Sequence, residues 1–466
     1  MLAWWGTRIL ASIAPDEIPR LAETRIDFTA LLFGLAVSIC AAIGFGTVPA
    51  LRATRIDLNE ALKASGKSTS GPGKSGFRRA LVTAQIALAF LLLFGVGLLG
   101  KSFGRLLNVD PGFDSKNVLS LETYVYSTRY KNPDAELGYY KQAMEHLNLN
   151  PGVEASAMTS TLPFADFDTA GLHIRERPLA NPSEAASVDR YSVSPGYFRV
   201  MRIPLRQGRL FTDQDHRGAQ PVAIISESCA KSQFARDNPI GQHIQLGGRH
   251  EEAPWATIVG IVGDIRQYGL DRSADMAAYI PQAQNLDFNY SLVARTRVNP
   301  RSLEKAAGNA FVAADKTQPV FNVRPLEDYL RASVAERSFT LSLLALFAGL
   351  ALVLAAVGVY GVISYSVTVQ TREFGIRAAL GATRKELLRL VSRNAARLLL
   401  FGLSAGWLAS LALNRFASTL LFGVKTWDIA IHALVVGTLT GAVILATLLP
   451  ARRASLVDAA VALREE

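Results

Sequence analysis

Along this chain, long runs without charge alternate with stretches of ordinary soluble composition. Five apolar runs read as membrane helices: Phe28–Val48, Ala80–Gly100, Phe339–Val367, Leu398–Leu413 and Ile429–Leu449. About 20 residues at a rise of about 1.5 Å cross a hydrocarbon core of about 30 Å. The run Leu398–Leu413 is short, and it is bounded by Arg397 and Arg415, whose long side chains can reach the interface. Residues 101–337 are too polar and too long to be a loop. There, Asn132-Pro133 predicts a helix start, with Asn at the N-cap and Pro in the first turn. Leu137, Tyr140, Met144 and Leu147 then fall on one helical face. The strand candidates Val118–Val125 and Val153–Thr161 flank that helix. The pattern recurs as Tyr290–Arg297, a helix from Asn299-Pro300, and Val320–Val323. Two β-α-β units therefore enclose a β-rich insertion that includes Val222–Ser226 and Thr257–Val262. Leu326, Leu330 and Val334, at i, i+4 and i+8, predict an amphipathic helix leading into the third span. The fold class is an α-helical multi-pass membrane protein, with about five transmembrane helices and a large α+β extracytoplasmic domain.

Charge orients this arrangement. With 49 Lys and Arg against 39 Asp and Glu, the net charge of +10 raises the question of nucleic acid. Much of that excess lies in short loops beside the apolar runs, where the positive-inside rule accounts for it, and there is no RNA-binding or zinc-finger motif. No nucleic acid partner is expected. Pro49–Arg79 carries Arg52, Arg55, Lys63, Lys67, Lys74, Arg78 and Arg79 against Asp57 and Glu60. Its middle, 63–78, is a Gly/Ser/Lys linker, and the whole segment belongs in the cytoplasm. Five spans then place the N-terminus outside, the 101–337 domain outside and the C-terminus inside.

Candidate chemistry is sparse. Gly66-Lys67-Ser68 and Gly73-Lys74-Ser75 mimic the end of a P-loop, but Ala61 and Ser68 stand where its first Gly is required. The six histidines, His146, His173, His216, His243, His250 and His432, have no metal-binding spacing. His432 alone lies in a span, near its outer end, where an interfacial, solvated role is expected. Asp264, Arg266 and Asp271 read as a solvated face. Cys40 falls in a span and Cys229 in the polar domain, so no bridge is expected. Met1–Ala14 is split by Arg8 and lacks a small-residue cleavage site, so it does not read as a signal peptide. No catalytic residue, cofactor or metal is assigned.

The most specific stretch is Val369–Ala382, VQTREFGIRAALGA, between the third and fourth spans. With Arg372, Glu373 and Arg377, followed by Arg384, Lys385 and Arg389, it cannot lie in lipid, since a charge at the bilayer centre costs about 2.5–3.5 kcal/mol. Gly381 can close the short helix with a left-handed cap, and Thr383 with Glu386 has the spacing of a capping box for the next helix. This string resembles the signature of FtsX-like and MacB-like permeases, the membrane subunits of type VII ABC systems. Glu373, Gly375, Ile376, Arg377, Gly381 and Ala382 match its pattern. The resemblance implies an ATPase coupling helix comprising Arg372, Glu373, Phe374, Gly375, Ile376, Arg377, Gly381 and Ala382. It also implies that 101–337 is a MacB-like periplasmic core domain, in which Ser194–Thr212 and Val259–Leu270 look like recurrent family segments whose residues serve turns and core. The implied function is a permease subunit, not an enzyme. It would couple ATP hydrolysis by a separate ABC ATPase to movement of the outer domain, for efflux, in the bacterial cytoplasmic membrane. A second permease copy or a missing first half, and a periplasmic adaptor, are further partners that the resemblance allows, alongside membrane lipid. Two other readings stay open: a non-transporting regulator of an extracytoplasmic partner such as a cell-wall hydrolase, and a non-functional fragment.

Finally, PALRATRIDLNEAL (Pro49–Leu62) recurs as PARRASLVDAAVAL (Pro450–Leu463), pairing Arg52 with Arg453, Asp57 with Asp458 and Leu62 with Leu463. The same offset places Asp27 on Asp428 and the first span on the fifth. Residues 1–62 therefore read as the C-terminal remnant of a first permease repeat, and 338–466 as the FtsX-like part of a second. This resembles the duplicated orphan permeases of the ADOP family with the first half truncated. The expectation is that the chain begins inside a longer ancestral unit, with Trp4–Ala14 the outer end of a lost span.

Overall fold

The computed structural model describes residues 28–53, 72–125, 130, 132–235, 237–247, 253–287, 289–380, 382–417, 424 and 427–455. Trp4–Ala14, most of the linker, and the matched repeat segments beyond 53 and 455 lie outside these residues.

The chain opens with α1 (Phe28–Ala53), α2 (Pro72–Leu107), β1 (Val118–Tyr124), α3 (Pro133–Asn148), β2 (Val153–Thr159) and β3 (Thr169–Ile174). It continues with β4 (Ala186–Val193), α4 (Tyr197–Met201), β5 (Leu205–Gly208), β6 (Val222–Ser226), α5 (Glu227–Gln233), β7 (His243–Gly247) and β8 (Ala256–Val262). β9 (Ala277–Pro281), β10 (Asn289–Thr296), α6 (Glu304–Ala314) and β11 (Val320–Pro325) complete the strands. The remaining helices are α7 (Leu326–Val369), α8 (Thr371–Ala379), α9 (Arg384–Ala417) and α10 (Ile429–Ser455). Two compact units result, Met1–Arg105 with Glu336–Glu466, and Leu106–Ala335.

In the first unit the helices run past the limits that charge alone predicts. Among the described residues four helices are long and apolar enough to cross a membrane: Gly76–Leu107, Leu326–Val369, Arg384–Ala412 and Ile429–Arg453. The expected first span lies in α1, where Phe28–Cys40 forms a shorter apolar stretch with exposed side chains. Residues 72–78, expected as linker, are already helical, and Pro72 occupies a first turn in which its missing N–H is tolerated. The lead-in at Leu326 and the third span are one helix of 44 residues. The expected start of the fourth span at Leu398 is likewise no boundary. Leu387, Val391, Ala395 and Leu398 continue one buried stripe, so the charged stretch belongs to the same helix.

The core of this unit is an interlocking of such stripes: Val82, Ile86, Phe90 and Phe94 of α2, Ala351, Ala355 and Val359 of α7, and Val435, Leu439 and Val443 of α10. Gly402 and Gly406 permit the close approach of α9 to α2. A Cβ at Gly402 would lie 2.5 Å from the Ile86 side chain, and one at Gly406 2.7 Å from Phe90. Gly437 and Gly441, of the same spacing, have nothing within 4 Å of such a Cβ, so the second small-residue motif packs against nothing described.

In the second unit the two expected β-α-β units are interleaved. The strand order β11-β1-β10-β2 places one strand of each unit between the two strands of the other, with every adjacent pair antiparallel. Asn132 caps α3 by accepting from the Asp134 N–H at 3.0 Å, and Asn299 accepts from Arg301 to start the turn that leads into α6. Tyr139, Tyr140 and Leu147 of α3 meet Ala307 and Phe311 of α6 over Leu119, Leu121, Leu292 and Ala294 of the sheet. Val118, Ala157 and Val293 face the opposite side, as the two-residue period of a strand requires.

The insertion is a closed ring, β4-β3-β7-β8-β6-β9 and back to β4. Leu172, Val188, Ile225, Ile244 and Ile258 belong to its core. Closure removes the free edges that would otherwise template aggregation. Thr159↔Val193 is the single registered pair between β2 and β4. Ser194–Thr212 and Val259–Leu270 meet as β5 pairs antiparallel with β8. Gly208, at φ +78°, admits the Val259 carbonyl to a distance of 2.2 Å from where a Cβ would stand, a backbone position only glycine fills without strain.

Candidate functional site

The site is built where α7 gives way to α8. The Thr371 hydroxyl donates to the Val367 and Thr368 carbonyls, and the Phe374 N–H donates to Gln370 O at 2.9 Å, so the turn between the two helices is closed by local bonds. Phe374 is 1 % exposed and belongs to the same apolar cluster as Ile363, Val367, Leu387 and Val391. Gly375 is buried beside it. These two residues form the held face of α8.

The opposite face is open. Glu373 and Arg377 are joined by an ion pair at 2.5 Å in which both side chains are about half exposed, a pair of the surface kind that adds about 0–1 kcal/mol. Ile376 is 43 % and Leu380 82 % exposed. The free face is thus an i,i+4 apolar pair beside an i,i+4 ion pair. The Ala382 N–H donates to Arg377 O at 2.9 Å, the long bond of a Schellman ending. Gly381, the residue expected to make that turn, and the Arg372 side chain lie outside what is described. The Thr383 N–H then donates to Glu386 Oε2 at 2.8 Å, one half of the expected capping box, and α9 starts at Arg384.

Of the expected coupling residues, the structure places Glu373, Ile376 and Arg377 on the open face and Phe374 and Gly375 on the held one; Ala382 follows the helix. Leu380 was not among the expected residues. Its signal was present as an apolar residue four positions after Ile376, on a helix whose Phe374 faces the other way.

Two other expectations are corrected. His432 is half-buried, packed among aromatic rings, rather than freely solvated. Its Nδ1 donates to Asp428 O at 2.9 Å, and its buried Nε2 has no partner among the described residues, with the Phe94 ring 4.6 Å and the Trp427 ring 5.5 Å away between centroids. Asp264 and Arg266 do not form a solvated face: the Asp264 carboxylate accepts from Ser228 N–H at 2.7 Å at the start of α5, and Arg266 donates to Leu270 O at 3.2 Å. Cys40 and Cys229 are both free, as expected. Burial, reinforced by nearby Asp264, pushes the Cys229 thiol up to about 12.

Residues 80–324, over half of the chain, match the MacB-like periplasmic core domain, and residues 345–456 match the FtsX-like permease C-terminal domain. YknZ of Bacillus subtilis (strain 168), an uncharacterized ABC transporter permease, is 28% identical over 353 residues, 70% of this chain and 84% of that protein. The macrolide export ATP-binding/permease protein MacB of Hahella chejuensis (strain KCTC 2396) is 26% identical over 433 residues, 87% of this chain. The chain spans 63% of that MacB and 44% of the MacB of Mannheimia succiniciproducens. The solved periplasmic region of MacB from Actinobacillus actinomycetemcomitans aligns with 47% of this chain and 94% of its own, at 18% identity and a TM-score of 0.32. On the two domain matches, the chain belongs to the MacB/FtsX-like family of ABC transporter permeases.

Proposed function

We propose that this permease is driven by a separate ABC ATPase, which docks on α8, and that the spans relay the stroke to an extracytoplasmic Leu106–Ala335 unit in an export system. One observation carries the reading: α8 is divided into a held face and a free one. Phe374 anchors the helix in the membrane unit, so displacing α8 displaces the spanning helices with it. Ile376 and Leu380, exposed beside the Glu373–Arg377 pair, offer a partner an apolar contact edged with charge, the composition of an interface core and its rim. Arg384, Lys385 and Arg389 are exposed just beyond, which favours the cytoplasmic side for this end of the bundle. YknZ, of which 84% is covered, is named as a permease, whereas the MacB relatives are named as ATP-binding/permease proteins, and that similarity favours an ATPase on another chain. The MacB relatives, named for macrolide export, support efflux as the work done.

The test is ATPase stimulation in proteoliposomes holding this chain and its ATPase. R377E and L380D are each expected to lower stimulation about tenfold, the effect of losing about 1.4 kcal/mol of interface. Both variants should keep the wild-type thermal unfolding profile. Full stimulation by both would overturn the reading. Proline at Gly375 would be a poor probe, because that residue is on the held face.

A further inference from the structure

We propose that a groove bordered by α2, α7 and α9 binds the phosphate headgroup of an anionic phospholipid. Arg78 and Arg79 at the start of α2 and Arg397 in the middle of α9 all line it, in a volume of about 540 Å³. Among the described residues no carboxylate lines the groove and none is paired with these three arginines. The Arg78 guanidinium carbon lies 4.5 Å from the Tyr365 ring centroid, which holds one charge in place by a cation–π contact. Three guanidiniums gathered from two helices repel one another unless an anion lies between them.

The remaining lining decides which anion. Thr83 and Asn394 supply neutral hydrogen-bond donors beside the charges, while Val362, Leu398 and Phe401 form an apolar wall. Those three residues stand on helices that cross the membrane, so the wall continues along the path of an acyl chain. A free inorganic anion would gain nothing from that surface. A phosphodiester with its acyl chains uses both halves, in the manner of basic pockets between spanning helices that hold anionic lipid heads. Arginines that merely reach for the interface would not need a shared groove. Val369 and Gln370, the last residues before α8, also line the groove, so the headgroup would sit against the root of that helix.

The test uses the full chain, delipidated in neutral detergent and titrated with dioctanoyl phosphatidylglycerol, dioctanoyl phosphatidylcholine or inorganic phosphate, with binding read by native mass spectrometry. Phosphatidylglycerol should bind at one molecule per chain and about tenfold more tightly than phosphatidylcholine, the ratio that one charge-assisted contact supplies. R79Q/R397Q should abolish that preference. R389Q/R393Q, which removes the same charge from α9 outside the groove, should leave it within about twofold. If R79Q/R397Q fails to fold, N394D places a repelling carboxylate in the groove and should weaken phosphatidylglycerol about tenfold. Equal binding of the two lipids overturns the proposal, as does an equal loss in R389Q/R393Q. Inorganic phosphate binding as tightly as phosphatidylglycerol would show a free-anion site and overturn it as well.

Discussion

Arg295, on β10, is 3 % exposed and serves three backbone carbonyls: Val200 O at 2.7 Å, Lys116 O at 2.9 Å and Asp114 O at 2.8 Å. It ties the chain before β1 and the end of α4 to a central strand. R295M would fill the space but leave those three carbonyls without their donor, while Asp114 keeps its ion pair with Arg202 at 2.7 Å. A loss of about 3–5 kcal/mol is expected from the unsatisfied acceptors, measurable as a fall in the urea midpoint of the Leu106–Ala335 unit by pulse proteolysis of the intact protein. Asp189 presents the reverse case. It is 6 % exposed, and burial, with Asp275 and Asp168 nearby, pushes its carboxyl up to about 6 despite the hydrogen bond from Tyr268. The folded chain therefore keeps a proton that the unfolded chain releases near 3.8. The stability this contributes is full below about pH 4 and lost as pH rises through about 6. D189N, which cannot ionise, should exceed the wild type by about 1–3 kcal/mol at pH 8 and match it near pH 4. The same proteolysis midpoint at the two pH values checks this, and a constant difference would contradict it.

At the scale of elements, the glycines of the spanning helices divide by what faces them. Gly402 and Gly406 lie against Ile86 and Phe90 at distances no Cβ can occupy, whereas Gly437 and Gly441 face open space. G406V should separate α9 from α2 and cost about 1–3 kcal/mol as overpacking. G437V should change stability by less than about 0.5 kcal/mol. Thermal unfolding of the two variants in detergent tests the difference, and equal losses would show that α9 and α2 are not packed as described. Both glycine pairs carry the same four-residue spacing, so spacing could not separate them; the identity of the facing residue does. Helix limits followed the same logic. The end of α8 and the start of α9 were legible because Thr383 and Glu386 satisfy backbone groups locally. The union of Arg384–Arg397 with the fourth span is not set by mean hydropathy, because six charged residues surround the narrow Leu387–Val391–Ala395–Leu398 stripe whose packing keeps the helix whole.

At the scale of the molecule, the basic segments around the linker and after α8 set the expected topology. In intact cells, a cysteine placed at Asp213 or Leu179, both in the Leu106–Ala335 unit, should react with an impermeant maleimide, and one at Ser70 in the linker should not. Labelling at Ser70 would reverse the orientation. Much of this architecture is local in origin and so readable in the sequence. The apolar runs must be helical because lipid leaves no other partner for the backbone. The caps at Asn132 and Asn299, the strand-forming runs of β1 and β10, and the charged string of α8 each state their element within a few residues. The family resemblance rests on that same string and on the domain order around it. What only the tertiary structure decided depends on residues far apart in the chain. The interleaving of two β-α-β units requires β10 to enter between β1 and β2, about 130 residues after β2 in the sequence. The closure of the insertion into a ring rests on β4 meeting β9 in parallel, which no turn signal encodes. The division of α8 into a held and a free face follows from the docking of Phe374 among residues of α7 and α9, and so does the gathering of Arg78, Arg79 and Arg397 around one groove. Periodicity states which residues share a face of one helix; which face another helix covers is settled by packing.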